Sequence, residues 1–389
     1  MKELLIVNNN MNVGGVQKSL CNLLWSLDPT EYHVTLLLFS KTGAYLDDIP
    51  DTVNVIEEIG PFRLFGKSQK EYKGMDAVKR TCLALICRFF GRDTAVRMMR
   101  KRQSTVGRYD CAISFLNNGP KELLYGGAQD YVLYCAEADR KVLFLHSDYE
   151  RSGSHYPEND QAVAQFDVIA ACSEGCRRAF VAALPDQADR CVAVRNCHRY
   201  DEIRRLAEEG EIAYSQDALH AVTVARMTSR KGIDRAIRAV ATARKAGHPI
   251  VLHIVGDGPM WSSLHQLVEE LAVTESVVFH GEMSNPYPYI KQADFMLLTS
   301  YHEAAPMVIE EARCLGVPVL STEIISTKEM VTEAQAGWVC DNDQMAINEM
   351  LCRVLADRDG LTEVKQRLLT TPMDNHVALE QFAAAVSAH

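Results

Sequence analysis

Two carboxylates, Glu303 and Glu311, are separated by seven residues in the stretch YHEAAPMVIEEARCLGVPVLST, residues 301–322. Pro306 suits the first turn of a helix, so we expect Glu303 in the preceding loop and Glu311 inside the helix, two turns along. The start of such a helix offers unpaired backbone N–H groups to a phosphate or a sugar hydroxyl. We predict ligand-binding positions there at Ala305, Pro306, Met307 and Val308. Carboxylates are good acceptors for sugar hydroxyls, so the stretch predicts a site for a phosphorylated sugar.

Two cations follow another predicted strand, in VTVARMTSRKGIDRAIRAV. Arg226 lies at the end of the strand and Lys231 just before a helix, where both could hold a pyrophosphate. The alternative is that Arg226 and Lys231 only make this loop soluble and bind no ligand. The next predicted strand runs into GDGP, and a turn at Gly258 would expose backbone to a ligand.

A pair of glycines, Gly14 and Gly15, separates the first predicted strand from a helix with leucines on one face. Such a turn brings backbone N–H groups close to an anion such as a diphosphate. A tight structural turn explains the pair equally well. The pattern is not GxGxxG, and no acidic residue clearly ends a second strand at the expected distance, which argues against NAD.

Short apolar runs alternate with longer amphipathic segments along the whole chain, as in α/β proteins with parallel sheets. At 389 residues we expect two domains. Strand-like runs vanish around residues 198–219 and restart at Ala221. We therefore predict two doubly wound, Rossmann-like domains, residues 1–198 and 199–375, that face a central cleft and bind ligands at their strands' carboxyl ends. A last amphipathic helix, 376–389, is expected to pack back on the first domain.

Neither the cysteines nor the acidic residues predict a metal site. The twelve cysteines lack zinc or redox spacing, and most lie in apolar runs, so we expect free, buried thiols. Asp341, Asn342 and Asp343 imitate a metal-binding DxD motif, but Asp343 precedes a helical pattern and suits an N-cap. The opening MKELLIVNNN is too short for a secretory signal, so we expect cytoplasmic synthesis without export.

Charge is concentrated in one segment. The net charge is −10, yet residues 61–108 contain thirteen Lys or Arg and three acids, a local +10 that leaves −20 elsewhere. Leu83, Leu85, Ile86, Phe89 and Phe90 lie among these cations, as in a helix at an anionic membrane surface. An ordinary core helix with a solvated basic face is the alternative. No nucleic-acid motif accompanies the charge, so we do not expect nucleic-acid binding.

Several of these motifs resemble the retaining glycosyltransferases of family 4, which have the GT-B fold. The resemblance covers nearly the whole chain and is strongest over residues 222–339. It is carried by Glu303, Glu311, Ala312 and the Gly-x-Pro-Val run of residues 316–319. It implies that Glu303 contacts the transferred sugar and Glu311 the ribose. ARMTSRKG resembles the diphosphate clamp of that family, and GDGP and AGWVC also recur there.

In the first half, KVLFLHSDY is similar to the family segment whose His lines the donor-sugar pocket, which makes His146 a candidate. A structural His after an apolar strand is the alternative. VRNCHRY is similar to the interdomain segment V-x-N-G-x-D, but Cys197 replaces the Gly, so a role for Asn196 stays open. The Gly-rich tripeptide that commonly follows the first Glu is here Ala304, Ala305 and Pro306, a departure that bears on sugar specificity.

The resemblance implies a retaining, metal-independent hexosyltransferase without a cofactor, acting by front-face attack without a covalent intermediate. The expected donor is a nucleoside-diphosphate sugar, with UDP favoured and GDP open. The expected acceptor is a hydroxyl of a lipid-linked saccharide in bacterial surface polysaccharide synthesis. The expected location is the inner face of the cytoplasmic membrane, held by residues 61–108. A GT-B-type UDP-sugar epimerase and a non-catalytic partner subunit are the alternatives.

Overall fold

The computed structural model describes residues 1–101, 107–210, 212–215 and 217–387. Arg102 of the basic segment and the end of the predicted helix 376–389 lie outside the described residues. The chain divides into two compact units. Unit 1 contains Met1–His198 and the C-terminal segment from Asn375, and unit 2 contains Arg199–Asp374.

Unit 1 is built on a parallel sheet of seven strands in the order β3-β2-β1-β4-β5-β6-β7. The order reverses between β1 and β4, as in a Rossmann fold. Residues 4–7 of β1 are fully buried, because helices cover both faces of such a sheet. The strands are β1 (Lys2–Asn8), β2 (Tyr32–Leu38), β3 (Asn54–Glu57), β4 (Arg108–Ser114), β5 (Glu137–Leu145), β6 (Val168–Ala171) and β7 (Cys191–Ala193).

Helices of unit 1 include the last helix of the chain. Phe382 of α14 packs edge-on against Tyr32 of β2 and joins the core under β1, β4 and β5. Arg140 donates to the Ala385 carbonyl at 2.9 Å, which fixes the end of this helix. The helices are α1 (Gly15–Ser26), α2 (Gly74–Phe90), α3 (Arg92–Arg100), α4 (Ala128–Tyr134), α5 (Pro157–Val163), α6 (Glu174–Ala183) and α14 (His376–Val386).

Unit 2 repeats the arrangement with a parallel sheet of six strands in the order β10-β9-β8-β11-β12-β13. The order reverses between β8 and β11, so the loops after these two strands diverge and leave a crevice at the carboxyl edge. The strands are β8 (Leu219–Val224), β9 (Ile250–Val255), β10 (Val277–Gly281), β11 (Phe295–Leu298), β12 (Val319–Thr322) and β13 (Gly337–Cys340).

Two apolar clusters, one on each face of this sheet, form the core of unit 2. One cluster includes α8, α9 and α12, and the other includes α7, α10 and α11. The helices are α7 (Tyr200–Leu206), α8 (Ile233–Lys245), α9 (Trp261–Glu270), α10 (Tyr287–Gln292), α11 (Met307–Cys314), α12 (Gln344–Ala356) and α13 (Arg358–Thr370). The expected α/β architecture with two parallel, Rossmann-like sheets is confirmed.

Three histidines on neighbouring strands of unit 2 form a hydrogen-bonded row, the histidine ladder (His220, His253 and His280). Nδ1 of His220 lies 2.9 Å from Nε2 of His253, and Nδ1 of His253 lies 3.0 Å from Nε2 of His280. Nε2 of His220 lies 3.0 Å from the Ser215 carbonyl. The Tyr214 ring stacks on His220 and His253 at 4.6 and 4.0 Å. Burial, followed by the neighbouring imidazoles, lowers the pKa of His253 to about 3.

The basic segment includes α2, which is not a core element, and α3, which buries Arg92, Ala95, Val96 and Met99. Cys87 is the buried residue of the 17-residue helix α2. Phe89 and Phe90 are each 72% exposed and Leu85 is 49% exposed. The alternative of an ordinary core helix is therefore wrong for α2. Among the described residues, no helix combines the length and the apolar character that crossing a bilayer requires.

Ten of the twelve cysteines are buried, while Cys82 is exposed and Cys352 is partly buried; all are free thiols. Across the described ranges, His, Cys, Asp and Glu side chains form no group of three or more that could hold a metal ion. Asp343 accepts a hydrogen bond from the Ala346 N–H at 2.9 Å and caps α12, so the predicted N-cap is confirmed.

Candidate functional site

The predicted cations and Glu303 lie in the loops after β8 and β11, at the switch point of unit 2. Gly232 precedes α8 with a φ of +59°, and a Cβ there would lie 2.2 Å from the Thr299 carbonyl oxygen. The Thr299 hydroxyl in turn donates to the Gly232 carbonyl at 2.7 Å. The left-handed conformation and the lack of space both require glycine. This close approach brings the start of α8 against the end of β11.

Lys231 and Glu303 form an ion pair between these two loops. The Ser300 hydroxyl also donates to Glu303 Oε1, at 2.9 Å. The Glu303 side chain is only 14% exposed, so the carboxylate is held in one orientation by two partners. Arg226 lies two residues beyond β8, is exposed, and its guanidinium has no hydrogen bond or ion pair to the part of the chain that the structure describes. The site thus contains one cation that is neutralised by a carboxylate, Lys231, and one that is available to a ligand, Arg226.

Helix α11 begins at Met307, and Pro306, expected in its first turn, is its N-cap residue. Pro306 has no N–H, so the backbone donors at this helix start come from Ala305, Met307 and Val308 instead of four successive residues. Glu311 lies within α11 as predicted and is 1% exposed. Glu303 and Glu311 therefore differ in environment: one lies in a partly exposed loop and the other on the buried face of a helix.

Gly258 has a packing role that its motif did not indicate. A Cβ at this position would lie 2.6 Å from the Met227 carbonyl oxygen. The Asp257 carbonyl accepts from the Met227 N–H at 2.8 Å, so the loop after β9 runs against the loop that carries Arg226. Glycine is needed here to let two backbones touch.

The glycine pair of unit 1, Gly14 and Gly15, does not pack against a neighbouring backbone as Gly258 does. Gly14 is the N-cap of α1 with an extended φ of 175°, and Gly15 is the first residue of the helix. A Cβ on Gly15 would meet nothing within 4 Å, and a Cβ on Gly14 would meet only the flexible side chain of Gln17. Neither glycine is required by a left-handed conformation or by neighbouring backbone, and the space beside Gly15 is open; the alternative of a tight structural turn stays open.

His146 directly follows β5 at the carboxyl edge of the unit 1 sheet. Its ring packs on Phe115 with centroids 4.6 Å apart. Nε2 is buried and has no hydrogen-bond partner among the described residues. Burial lowers the pKa of His146 to about 4, so the imidazole is neutral at physiological pH. A neutral ring offers one donor and one acceptor to a ligand.

Buried amides fix the loop around His146, and the sequence motifs did not reveal them. Asn117 Oδ1 accepts from the His146 N–H and the Ser147 hydroxyl, both at 3.3 Å. Its Nδ2 donates to Ser147 Oγ at 2.9 Å. The available signal was SFLNNG, in which amides directly follow β4. Asn196, the position left open by its motif, instead accepts from the Ser19 hydroxyl of α1 at 2.7 Å.

The structure brings Lys231 and Glu303 into contact within unit 2 and places Arg226, Gly258 and the start of α11 at the same sheet edge. The carboxyl edge of the unit 1 sheet carries Gly14, Gly15 and His146.

Residues 208–368 match the family model of glycosyl transferases group 1. The chain is 33% identical over 153 residues to the lipopolysaccharide glucosyltransferase WaaG of Escherichia coli K12, covering 38% of this chain and 39% of that protein. It is 30% identical over 109 residues to the N-acetyl-alpha-D-glucosaminyl L-malate synthase of Bacillus anthracis, covering 28% and 29%. The matches thus span less than half the length of these curated relatives.

The whole chain resembles solved structures at low sequence identity. The crystal structure of Anabaena Alr3699/HepE in complex with UDP and glucose superposes with a TM-score of 0.68 at 18% identity, covering 99% of both chains. Identity at this level shows the fold alone. Residues 208–368 are therefore a glycosyl transferases group 1 domain, and the chain has the GT-B fold.

Proposed function

We propose that this protein is a retaining glycosyltransferase that moves a hexose from a nucleoside-diphosphate sugar to a hydroxyl of a lipid-linked saccharide in surface polysaccharide synthesis. The observation that carries the proposal is the convergence of Lys231 and Glu303 at the switch point of a unit that matches the glycosyl transferases group 1 model. UDP is the favoured nucleotide, since the Anabaena structure holds UDP and glucose.

In this proposal the cations of unit 2 stabilise the leaving diphosphate. Arg226 is exposed and has no competing carboxylate among the described residues, so it can receive an anion directly. The Lys231 ammonium is paired with Glu303, and an incoming diphosphate would become its second partner. Backbone donors at the start of α11 add to the positive environment of this sheet edge, and Gly14 and Gly15 are the proposed anion-binding positions of unit 1. Such preorganised donors lower the barrier to leaving-group departure.

The carboxylates and His146 hold the sugar and the ribose. Glu303 accepts from hydroxyls of the transferred hexose, and Glu311 accepts from the ribose. The Nε2 atom of His146 donates to or accepts from a sugar hydroxyl, because burial keeps its ring neutral. The bond from the anomeric carbon to the diphosphate then breaks, and the acceptor oxygen bonds to this carbon on the same face while its hydroxyl proton passes to the departing diphosphate. The anomeric configuration is retained, and no covalent intermediate with the enzyme forms.

The test is a calorimetric panel of UDP-hexoses and GDP-hexoses, followed by transfer assays with lipid-linked acceptors and NMR of the anomeric product. We expect one UDP-hexose to bind and Glu311→Ala to weaken the binding of UDP itself. Unchanged UDP affinity in this variant would contradict the placement of the ribose. Conversion of the donor hexose to its epimer without an acceptor would favour the epimerase alternative, and absence of any donor binding would favour a non-catalytic subunit.

We also propose that α2 and α3 hold the protein on an anionic membrane surface. The exposed rings of Phe89 and Phe90 lie beside Arg88 on a helix that buries almost nothing, and such a mixture of aromatic and cationic side chains suits a bilayer interface. Binding would place the acceptor hydroxyl of a lipid-linked saccharide near the enzyme.

The test is co-sedimentation with vesicles of anionic or of zwitterionic lipid. Replacing Phe89 and Phe90 by Ser is expected to release the protein from anionic vesicles, as is neutralising Arg97, Arg100 and Lys101 together with Arg102, which lies outside the described residues. Met345→Ser on α12, an exposed position of unit 2, is the matched control and should bind like the wild type. Equal association of all variants would contradict the membrane proposal.

A further inference from the structure

The D-N-D segment that precedes α12 contains a residue, Asn342, that the N-cap at Asp343 does not explain. Its Oδ1 accepts from Arg235 Nη1 at 2.7 Å. Its Nδ2 donates to the carbonyls of Tyr301 at 3.0 Å and Glu323 at 2.8 Å, with the Ser300 carbonyl at 3.4 Å. One amide therefore connects α8 with the loops after β11 and β12.

Arg235 gives this amide its orientation. It is 3% exposed, its guanidinium lies over the Tyr301 ring at 4.4 Å, and no carboxylate of the described residues forms an ion pair with it. A buried guanidinium without a carboxylate is expensive to maintain, so its presence calls for a reason. Arginine has donors and no acceptor. The guanidinium must therefore bind the Oδ1 atom of Asn342. With Oδ1 held in this way, the Nδ2 hydrogens of Asn342 point at the loop carbonyls.

The loop that Asn342 contacts is the one that carries Glu303. The Tyr301 N–H donates to the Arg230 carbonyl at 2.9 Å, and the Thr322 hydroxyl donates to the Ser300 carbonyl at 2.8 Å. Asn342 adds bonds to the carbonyls of the same two residues. The Ser300 hydroxyl in turn donates to Glu303. Each of these contacts lies within unit 2, two or three residues from the carboxylate that faces Lys231.

We propose that Asn342 and Arg235 are positioning residues that hold the loop of residues 300–303, so that Glu303 is placed against the donor sugar. The inference rests on the proposed function for the role of Glu303. Asn342, the middle residue of the D-N-D segment, would then contribute to donor recognition by holding backbone carbonyls of the loop. Loss of this support should weaken binding of the sugar part of the donor, because the loop carries Glu303. Arg226 and Glu311, the proposed ligands of the diphosphate and the ribose, lie on other segments.

The test compares Asn342→Asp with Asp341→Asn, an exposed neighbour in the same segment that serves as control. Asn342→Asp removes both N–H donors to the loop while its carboxylate pairs with Arg235, so the variant should remain folded in thermal melts. We expect UDP to bind with wild-type affinity. We expect the affinity for the UDP-hexose of the wild-type enzyme, and kcat/KM, to fall about tenfold or more because Glu303 is misplaced. Asp341→Asn should leave all of these quantities unchanged.

An equal loss of affinity for UDP and for UDP-hexose, or no loss of either, would overturn the inference. Hydrogen exchange of peptides spanning residues 299–305 tests it without any substrate. Faster exchange in Asn342→Asp than in Asp341→Asn is expected, and equal exchange would overturn the proposal. If the wild-type protein binds no nucleotide sugar, the proposed function fails, while the exchange experiment still decides whether Asn342 holds this loop.

Discussion

Two loops at the carboxyl edges of the two sheets are held by different sets of side chains. In unit 1, the loop after β5 that carries His146 is fixed by the uncharged side chain of Asn117, and the histidine itself is neutral. In unit 2, the loop after β11 also receives hydrogen bonds from an amide, that of Asn342, but the functional side chain it carries, Glu303, is charged and forms an ion pair with Lys231. Both loops follow parallel strands near the point where the strand order reverses.

In the proposed function, the two sheet edges have different tasks. Charges that can exchange partners suit a diphosphate, whose charge increases as it leaves, because they stabilise it without rearrangement of solvent. Uncharged amides suit a site for hydroxyl groups, since they hold a ring in place without attracting an anion. The predictions below test this division, beginning with the largest expected effect.

Lys231→Met removes the cation from the charged loop. We expect kcat/KM to fall on the order of a hundredfold, because one donor to the leaving diphosphate is lost and Glu303 loses its ion pair. Steady-state transfer kinetics measure the effect. The control is Arg230→Met, an exposed cation in the same loop, which should retain wild-type kinetics. Similar losses in both variants would mean that only general positive charge matters.

Asn117→Ala removes the amide from the uncharged loop. The free energy of unfolding should fall by about 1–3 kcal/mol, because buried polar partners around Ser147 lose their bonds. Urea unfolding measures this change. Asn54→Ala, at an exposed position of β3, should have little effect. If the Asn117 variant is as stable as the wild type, the amide network does not hold unit 1 together.

His253→Gln tests the ladder of unit 2 through pH. The pKa of His253 is about 3 in the folded protein, below the ordinary 6.5, so the unfolded chain binds the extra proton first. Its contribution to stability is complete above pH 6.5 and is lost as the pH falls toward 3, by up to about 1.4 kcal/mol per pH unit. Glutamine can replace both hydrogen bonds without titrating, so unfolding measured between pH 7 and 4 should show a shallower slope.

The matched control for this slope is Val278→Thr, a change at an exposed position of β10 that removes no titratable group. We expect this variant to retain the wild-type dependence of unfolding free energy on pH. A slope in the His253 variant equal to that of the control would mean that the ladder does not couple folding to protons.

Asp343→Ala gives the smallest effect and tests whether the acidic segment before α12 only caps a helix. The N–H of Ala346 loses its acceptor, and unfolding free energy should fall by about 1 kcal/mol. Transfer activity should be unchanged. A large loss of activity that added divalent cations restore would identify the segment as a metal site after all.

The parts of this molecule that could be predicted are those encoded within one segment. The apolar runs predicted the parallel strands. The positions of Lys231 and Glu303 just after strands predicted that both lie at a ligand site. Pro306 predicted the helix start, although it lies at the N-cap and not within the first turn.

Features that depend on distant segments could not be predicted. Asn342 contacts one helix, α8, and two separate loops, and no local pattern encodes these bonds. Likewise, Gly258 is required by the backbone of Met227, some thirty positions earlier, which its own turn motif does not reveal. Sequence spacing identifies candidate chemistry well, whereas the residues that hold it in place depend on the fold.

The histidine ladder also determines where its hydrogens are. The Ser215 carbonyl can only accept, so Nε2 of His220 must carry hydrogen, and in the neutral row Nε2 of His253 and of His280 must then do the same. When one proton is added, the positive charge can reside on any of the three rings. In each case the bonds persist only if the new hydrogen appears on Nδ1 of His280, so this atom is the single entry point for acid into the row.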